Sequence, residues 1–393
     1  MASSARSVRP PLWRDVRVLR VAGQVAFVLV VFFVLREMYL NATFQLGQRG
    51  RDLSYDFLDS RAGFGVKEHF IDYSPNNSFW RVFWVAVTNA LAVTGVGIVL
   101  ATVLGTFLGI ARLSPNWLLR KIGQGYVETI RNIPALVQII FWYTAVILAI
   151  PRLENSISIF GFAYISNRGA AVPTLRGGAD FGPWGLFVVA AVVAAFFVRR
   201  WRTKIFDDTG RPHYRFLWST GTFLVVAALG YVVLGDAFTI ELPEIGLRNL
   251  VGGIQVSPEF AGVLVGLVVY TAAFIGEIVR GSILAVSKGQ KEAAEALGLR
   301  PSQQLRYVVL PQAMRIALPS ITNQYLNFWK NTSLGFFIAY PEIVNITRTM
   351  TNQAGHELEI FSLLIVIYLG VSLAISLFMN ILNRGVTLRG ATR

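Results

Sequence analysis

The sequence predicts an all-α fold, a polytopic bundle of about eight transmembrane helices, from three observations. Of its 393 residues, 54% are hydrophobic and 15% are charged, whereas soluble domains carry roughly 25% charged residues. Eight mostly apolar stretches approach or exceed the roughly 20 residues that cross a hydrocarbon core about 30 Å thick. The basic residues, finally, are distributed along the chain as expected for two sides of a membrane.

The eight predicted spans differ in how apolar they are. The fourth is short, and the third, sixth and seventh contain polar residues. Their approximate limits are 21–40, 83–110, 126–150, 184–198, 216–234, 260–279, 318–340 and 360–383.

Basic residues orient the spans. With a cytoplasmic N-terminus, five segments fall on the same side, and each has more basic than acidic residues; they are 1–20, 112–121, 199–215, 280–315 and 384–393. Positive charge concentrates on the cytoplasmic side of membrane proteins, so both termini are predicted to be cytoplasmic. The first span is not expected to be a cleaved signal peptide, because Arg36-Glu37-Met38-Tyr39 offers no small-residue cleavage site.

Several kinds of chemistry are excluded. The chain has no Cys, which removes disulfides, thiolate metal sites and cysteine nucleophiles. Its three histidines, His69, His213 and His356, are too scattered to predict a metal site. There is no Gly-x-x-x-x-Gly-Lys-Ser/Thr phosphate loop, so the chain is not predicted to hydrolyse ATP. The net charge of +14 is assigned to membrane orientation rather than to nucleic-acid binding.

A cytoplasmic run between the sixth and seventh spans carries the clearest motif. Residues 292–297 favour a helix, Gly298 suits a left-handed C-terminal cap, and Pro301 suits the first turn of a second helix. Pro311 is predicted to end or kink that second helix. Small side chains in the first helix would let another protein approach its backbone closely, which predicts a docking element.

This run resembles the EAA loop of ATP-binding-cassette (ABC) importer permeases. Glu292, Ala293, Ala294, Gly298, Leu310 and Pro311 match its motif, and Glu295 lies within it. The resemblance implies a coupling helix that fits a groove of a separate ATPase subunit, which would bind ATP and Mg; no cofactor is expected in this chain. The alternative is a chance amphipathic linker.

Flanking segments resemble the polar amino-acid importer permeases of the histidine, glutamine, glutamate and opine group. They are 270–281, 288–290, 310–313, 330–334 and 129–138, the last with Asn132 and Ile133 in place of the group's usual Gly and Thr. The resemblance implies a type I ABC importer permease fold in a bacterial inner membrane. The length and the two extra spans are similar to the longer permeases of general L-amino-acid importers.

The resemblance also implies partners and a division of the chain. The partners are a second permease subunit, with a paralogous heterodimer favoured over an identical copy, two ATPase subunits, a periplasmic amino-acid-binding protein and the lipid bilayer. The predicted parts are a basic N-terminus (1–20), a first span (21–40), a periplasmic segment (41–82), permease core (83–150 and 255–385), a two-span insertion (151–254) and a tail (386–393). The coupling loop is placed at 285–317.

The seventh span carries a polar stripe at helical spacing, formed by Ser320, Asn323, Gln324, Asn327 and Asn331. Intramembrane polar groups usually face a bundle interior or a water-filled path. The stripe is therefore either the lining of a solute pathway or a set of interhelical hydrogen bonds at a subunit interface. Lys330 either forms an ion pair with Glu277 or Glu128, or offers its charge to a substrate carboxylate. Of these two possibilities, pairing is favoured.

Other polar or helix-breaking residues are assigned to the predicted pathway. Glu277 is the best candidate for an ammonium contact, unless Arg280 one turn away neutralises it. Pro134 is expected to break the third span and expose backbone groups to solute, beside the small Ala135. Thr332 joins the pathway through the 330–334 motif. Glu128 and Arg131 are expected to form a structural ion pair.

The predicted function is that of a permease subunit that imports polar L-amino acids by alternating access, coupled to an ATPase through the loop. An ion-driven secondary carrier using Glu277 and Lys330, or a membrane receptor that binds a signalling partner through the loop, are the alternatives. The carrier hypothesis predicts inverted repeats, and the sequence shows no convincing internal repeat. It also leaves the docking loop unexplained.

Overall fold

The structure is a computed structural model that describes residues 15–48, 52–210, 214–235, 237–246 and 250–386. Most of the predicted basic N-terminus, nearly all of the predicted tail and His213 lie outside the described residues.

Helices dominate the described part of the chain. The α-helices are α1 (Val16–Gln48), α2 (Phe79–Ala111), α3 (Trp117–Arg131), α4 (Ala135–Phe141), α5 (Phe181–Thr209), α6 (Arg215–Leu234), α7 (Pro258–Leu284), α8 (Lys288–Ala296), α9 (Pro301–Gln304), α10 (Leu310–Asn331), α11 (Ile343–Ala354) and α12 (Glu357–Val386). Two π-helical turns, Trp142–Ile147 and Leu305–Val309, extend α4 and α9, and a 3₁₀ turn, Thr332–Ile338, follows α10.

Within the described residues, six helices are long and apolar enough to cross a membrane, and a bent pair raises the number to seven. The six are α1, α2, α5, α6, α7 and α12, and the pair joins α3 to α4 across a bend of 106°. The described residues thus contain six or seven candidate spans, against the predicted number of about eight. The difference is the stretch 318–340, where α10 carries Pro319 and the polar stripe, which lower its hydropathy.

The all-α prediction is also wrong in detail, because eight short strands flank the α5–α6 hairpin in the part of the chain that the structure describes. They are β1 (Ile157–Ile159), β2 (Ala163–Ser166), β3 (Gly169–Val172), β4 (Thr174–Gly177), β5 (Phe238–Glu241), β6 (Glu244–Ile245), β7 (Leu250–Val251) and β8 (Ile254–Val256). All pairs are antiparallel, in one sheet of order β1-β2-β3-β8 and in the pairs β4-β5 and β6-β7. β8 leads directly into α7.

We call the end of the bundle that holds the strands the sheet end, and the opposite end, which holds residues 285–309, the loop end. At the sheet end, residues 52–78 fold over α2, α11 and α12 around a core that includes Phe79, Phe83 and Trp329. A second core joins α2, α4, α7 and α10 around Ile139, Leu267 and Phe328. Outside the membrane, removal of such large apolar side chains from water is the main force that holds these helices together. Within the lipid, close packing of the helices takes that role.

Helices α2 and α7 make the most extensive helix contact in the bundle. Their backbones approach so closely that a methyl group added at Gly109 would lie 2.7 Å from the Gly276 carbonyl oxygen. One added at Gly105 would lie 2.9 Å from the Ala272 carbonyl oxygen. Small residues at such crossings are typical of helices that associate in membranes.

Candidate functional site

The loop end is built around α8, a short helix that stands out from the bundle. Glu292, Ala293 and Glu295 are exposed, and Leu297 at its end is 79% exposed. On the opposite side, Ala294 is 3% exposed. A helix with one buried alanine and small, acidic and apolar residues on its open face has the shape of a docking element.

Gly298 ends α8 in the left-handed conformation predicted from the sequence, with φ of 74°. The Gly298 amide donates to the Glu295 carbonyl at 2.8 Å, and the Leu299 amide donates to the Ala294 carbonyl at 3.1 Å. This pair of bonds is a Schellman cap. It fixes the turn into α9, which begins with Pro301 in its first turn, as predicted.

The loop is tied to the bundle through the start of α10. Val286, Val309 and Ala313 form a small buried cluster below α8. The side-chain amide of Gln312 donates a hydrogen bond to the side-chain oxygen of Gln290 at 3.1 Å. The chain passes from α9 into α10 through the π-helical turn Leu305–Val309, and Pro311 lies in the first turn of α10. Leu310 is partly exposed there. These contacts join α8 to α10, the helix that carries the polar stripe.

An ion cluster joins α7 to α2 just before the loop. The Glu277 carboxylate pairs with Arg280 at 2.6 Å, the alternative that the sequence left open, and also with Arg112 at the end of α2. The side chain of Glu277 is 29% exposed and that of Arg112 is 11% exposed. Sequence reasoning missed Arg112, because its partner lies 165 positions away. With two guanidinium partners, the Glu277 carboxylate is neutralised within the chain.

The polar stripe of α10 lies on an open face of the bundle. Asn323, Asn327 and Lys330 are exposed there, together with Ser320, whereas Phe328 and Trp329 on the opposite face are fully buried. Gln324 and Asn331, the other two members of the stripe, are half-buried. Within this chain the stripe therefore makes few contacts, and it is available to solute or to a neighbouring subunit.

Two sequence predictions for this region differ from the structure. Lys330 forms no ion pair among the described residues, because Glu277 is held by two arginines and Glu128 accepts a hydrogen bond from Gln124 at 2.8 Å. Thr332 is fully buried and its hydroxyl donates to the Trp329 carbonyl at 2.7 Å. It does not line the open face, since the chain turns inward after α10.

The break between α3 and α4 lies at Asn132, Ile133 and Pro134, as the sequence predicts, and Pro134 is exposed at the bend. Ala135 is buried in the core rather than open to a path. The Gln138 amide donates to the Ile130 carbonyl at 3.0 Å and so satisfies a carbonyl that the break frees. Sequence reasoning missed Gln138, although a glutamine inside an apolar span is itself a signal.

The expected ion pair between Glu128 and Arg131 is not formed. The Arg131 guanidinium lies 5.1 Å from the centre of the Phe274 ring instead, a cation–π geometry. Tyr126 joins the same two helices, because its hydroxyl donates to the Val269 carbonyl at 2.9 Å. α3, the first helix of the bent pair, is therefore held to α7 by the contacts of Arg131 and Tyr126.

A buried polar group at the sheet end fixes the helix that follows α10. Glu342 is fully buried and caps α11, accepting hydrogen bonds from the Val344 and Asn345 amides at 2.9 Å. Burial raises the pKa of Glu342 to about 8. Beside it, the Tyr340 hydroxyl donates to the Asn89 carbonyl at 3.0 Å. The Asn89 amide in turn donates to the carbonyls of Glu68 and Pro341.

Glu68 secures the start of α7 in the same region. Its carboxylate accepts hydrogen bonds from the Ser257 amide and hydroxyl, and Ser257 caps α7. Burial raises the pKa of Glu68, and the bonds from Ser257 oppose that shift. Among the described residues there is no cluster of three or more His, Asp and Glu side chains able to hold a metal ion.

Comparison with known proteins places this arrangement in a family context. Residues 188–388 match the family model described as "Binding-protein-dependent transport system inner membrane component". The chain is 40% identical to the general L-amino acid transport system permease protein AapQ of Rhizobium johnstonii over 87% of this chain and 86% of that protein. It is 35% identical to the glutamate/glutamine/aspartate/asparagine transport system permease protein BztB of Rhodobacter capsulatus, over 95% of each.

Among solved structures, the chain is similar to one described as "Crystal structure of an amino acid ABC transporter with histidines". The identity is 17%, the TM-score is 0.47, and the match covers 78% of this chain and 94% of that one.

Proposed function

The chain belongs to the inner-membrane permease components of binding-protein-dependent transport systems, and from that membership we propose how its parts move solute. It is an amino-acid ABC transporter permease subunit that imports polar L-amino acids. It is a multi-pass protein of the inner membrane, and it works with a separate ATPase subunit and a binding protein. The predictions of family and function are confirmed.

The proposed coupling element is α8. The observation that carries it is the open face of this helix at the loop end, where Glu292, Ala293, Glu295 and Leu297 are exposed. We place this end in the cytoplasm, because the basic segments of the chain gather there. ATP and Mg would bind the ATPase, and closure of two ATPase subunits would pull α8 and, through Gln290 and Gln312, the start of α10.

The proposed solute path runs along the open face of α10. Asn323 and Asn327 offer amide groups that can bind either the carboxylate or the ammonium of an amino acid. The Lys330 ammonium favours carboxylates. Because the face is open on one side, a second permease subunit would complete the path. We propose a paralogous partner, as in the longer systems that the sequence resembles.

The remaining predicted pathway residues take structural roles in this proposal. Glu277 serves to hold α7 to α2 rather than to bind an ammonium, since it already has two cationic partners. Pro134 shapes the bend between α3 and α4, and Ala135 fills the core beside it. Thr332 keeps its hydroxyl inside the chain. Residues 151–254 are proposed to be an insertion within a type I permease core.

The experiment measures ATP hydrolysis in liposomes that contain this chain with its partner permease, ATPase and binding protein. Glu292→Lys combined with Glu295→Lys reverses charge on the open face of α8. We expect stimulation by amino acids to fall at least about tenfold, since reversed charge at a docked surface costs several kcal/mol. The matched control is Asp207→Lys with Asp208→Lys, which makes the same change at exposed positions of α5 and should leave stimulation within about twofold.

Unchanged stimulation in the α8 variant would contradict the coupling role. If uptake instead followed an ion gradient without ATP, the chain would be a secondary carrier. Uptake unaffected by deletion of the chain would indicate a receptor or scaffold.

A further inference from the structure

We propose that the loop end of the α5–α6 hairpin binds the phosphate headgroup of an anionic phospholipid through Arg199, Arg200 and Lys204. The proposal uses the proposed function only to place this end at the cytoplasmic leaflet. It assigns a ligand to the insertion, which the coupling mechanism leaves without a role.

The hairpin stands apart from the rest of the bundle. α5 and α6 pack extensively on each other, so closely that a methyl group added at Gly230 would lie 2.5 Å from the Phe187 side chain. No other helix in the described part of the chain packs extensively against either one. Ala191 is the only residue of α5 that is fully buried among those described. The apolar sides of the hairpin are therefore solvated by lipid.

Aromatic residues mark the depth at which this hairpin leaves the membrane. The Arg202 guanidinium lies 4.2 Å from the centre of the Trp218 ring on α6 and 4.9 Å from that of Trp201. Tryptophan is enriched at the headgroup level of membranes. The first cations of α5 therefore lie level with the first turn of α6, where the apolar run of the hairpin ends.

The cations point away from the partner helix. Arg200 and Lys204 are four positions apart and share one face of α5, and Arg199 lies at the edge of that face, toward Arg202. Arg202, between them in sequence, faces α6 instead, as its contact with Trp218 shows. Arg199, Arg200 and Lys204 are exposed and form no ion pair with the residues described. Their charge is thus presented to the surrounding membrane.

The order of residues along this face matches the layers of a phospholipid. The open surface of α5 presents first Phe196 and Phe197, then Arg199, Arg200 and Trp201, then Thr203 and Lys204, with Asp207 at its far end. Aromatic rings suit acyl chains and guanidinium groups suit phosphate. The Thr203 hydroxyl donates to the Arg199 carbonyl at 2.8 Å, so it can only accept a hydrogen bond from a headgroup. The sequence of apolar, cationic and polar groups favours lipid over a protein partner.

The test measures which lipids remain bound to the full chain after purification. The chain, reconstituted with equal phosphatidylglycerol and phosphatidylethanolamine, is extracted and its bound lipids are counted by native mass spectrometry. For Arg199→Gln, Arg200→Gln and Lys204→Gln together, we expect retained phosphatidylglycerol to fall at least about tenfold, because each cation near an anionic surface contributes measurably. Retained phosphatidylethanolamine should not change.

Two control variants keep the result interpretable. Arg152→Gln, Arg168→Gln and Arg176→Gln remove the same charge from exposed positions near the strands of the same insertion and should retain phosphatidylglycerol. Arg199→Lys, Arg200→Lys and Lys204→Arg keep the charge and should retain at least half of it, which separates lost binding from lost folding.

Equal retention of phosphatidylglycerol by the triple glutamine variant and the wild type would overturn the proposal. If a separate co-purification of that variant with its partners shows loss of the ATPase subunit, and lipid retention is unchanged, the result would overturn the proposal in favour of a protein-docking surface. Because lipid is counted on the chain without its partners, failure of the coupling experiment leaves this result unaffected.

Discussion

Glu277 on α7 and Arg112 at the end of α2 form an ion pair that links the two helices with the most extensive contact in the bundle. Arg280 completes the cluster from one turn along α7. The cluster lies immediately before the coupling loop, so it binds the loop-end portion of α7 to α2.

The strength of this link is testable with a double-mutant cycle on Glu277→Gln and Arg112→Gln. We expect a coupling energy of about 1–3 kcal/mol, below that of a fully buried pair because Glu277 is partly exposed. Unfolding in detergent, followed by circular dichroism, measures it. The control cycle uses Arg176 and Glu241, whose side chains are 74% and 34% exposed and should couple by less than about 1 kcal/mol. Equal coupling in both cycles would contradict the link.

Lys330 is predicted to favour acidic solutes. Lys330→Gln should raise the KM for glutamate about tenfold relative to glutamine, since a hydrogen bond to a charged group contributes roughly 1.5–3 kcal/mol. Uptake of both amino acids into liposomes measures this, and Lys330→Arg should preserve the preference. If the variant loses its partner permease instead, with no change in preference, the open face of α10 is a subunit interface.

Gly298 is predicted to be needed for its left-handed backbone conformation rather than for the small size of its side chain. A methyl group added there meets no atom within 4 Å, but a left-handed conformation costs most L-residues about 1–2 kcal/mol. Gly298→Ala should therefore weaken the α8 cap and reduce stimulated ATP hydrolysis. Gly298→Asn should retain more activity, because asparagine adopts this conformation more readily. Equal loss in both variants would point to a steric clash with the ATPase.

Glu342 is predicted to make stability depend on pH. Its pKa is raised from 4.5 to about 8 in the folded chain, so the folded state binds the proton more tightly than the unfolded state does. Stability should be greatest below pH 4.5 and should fall as the pH rises to about 8. Glu342→Gln should flatten that part of the curve, with roughly 2–4 °C in Tm for each kcal/mol. Scanning fluorimetry across this range measures it, and exposed Glu357→Gln serves as the control with the wild-type slope.

The sequence was informative where local chemistry decides structure. Gly298, Pro301 and the break before Pro134 follow from backbone preferences of single residues, and their conformations are confirmed. The Glu277–Arg280 pair follows from helical spacing in the same way.

Long-range contacts were not accessible by the same reasoning. Arg112 reaches Glu277 only because α2 and α7 cross, and Glu128 and Arg131 find neighbours other than each other. The strands around the insertion were missed because each has four residues or fewer, too few for alternation to show. The polar stripe of α10 was predicted, but the favoured ion pair of Lys330 is not formed, since Glu277 pairs with Arg112 and Arg280 instead.

The glycine crossing of α2 and α7 has a mechanical consequence. Gly105, Gly109 and Gly276 bring two backbones into direct contact, and the ion cluster pins the same crossing at its loop end. Two helices in such contact cannot slide or roll against each other without steric clashes, so they would move as one rigid body during each transport cycle. Changes in shape would then concentrate at the jointed parts of the chain, such as the 106° elbow between α3 and α4 and the π-helical turn that leads into α10.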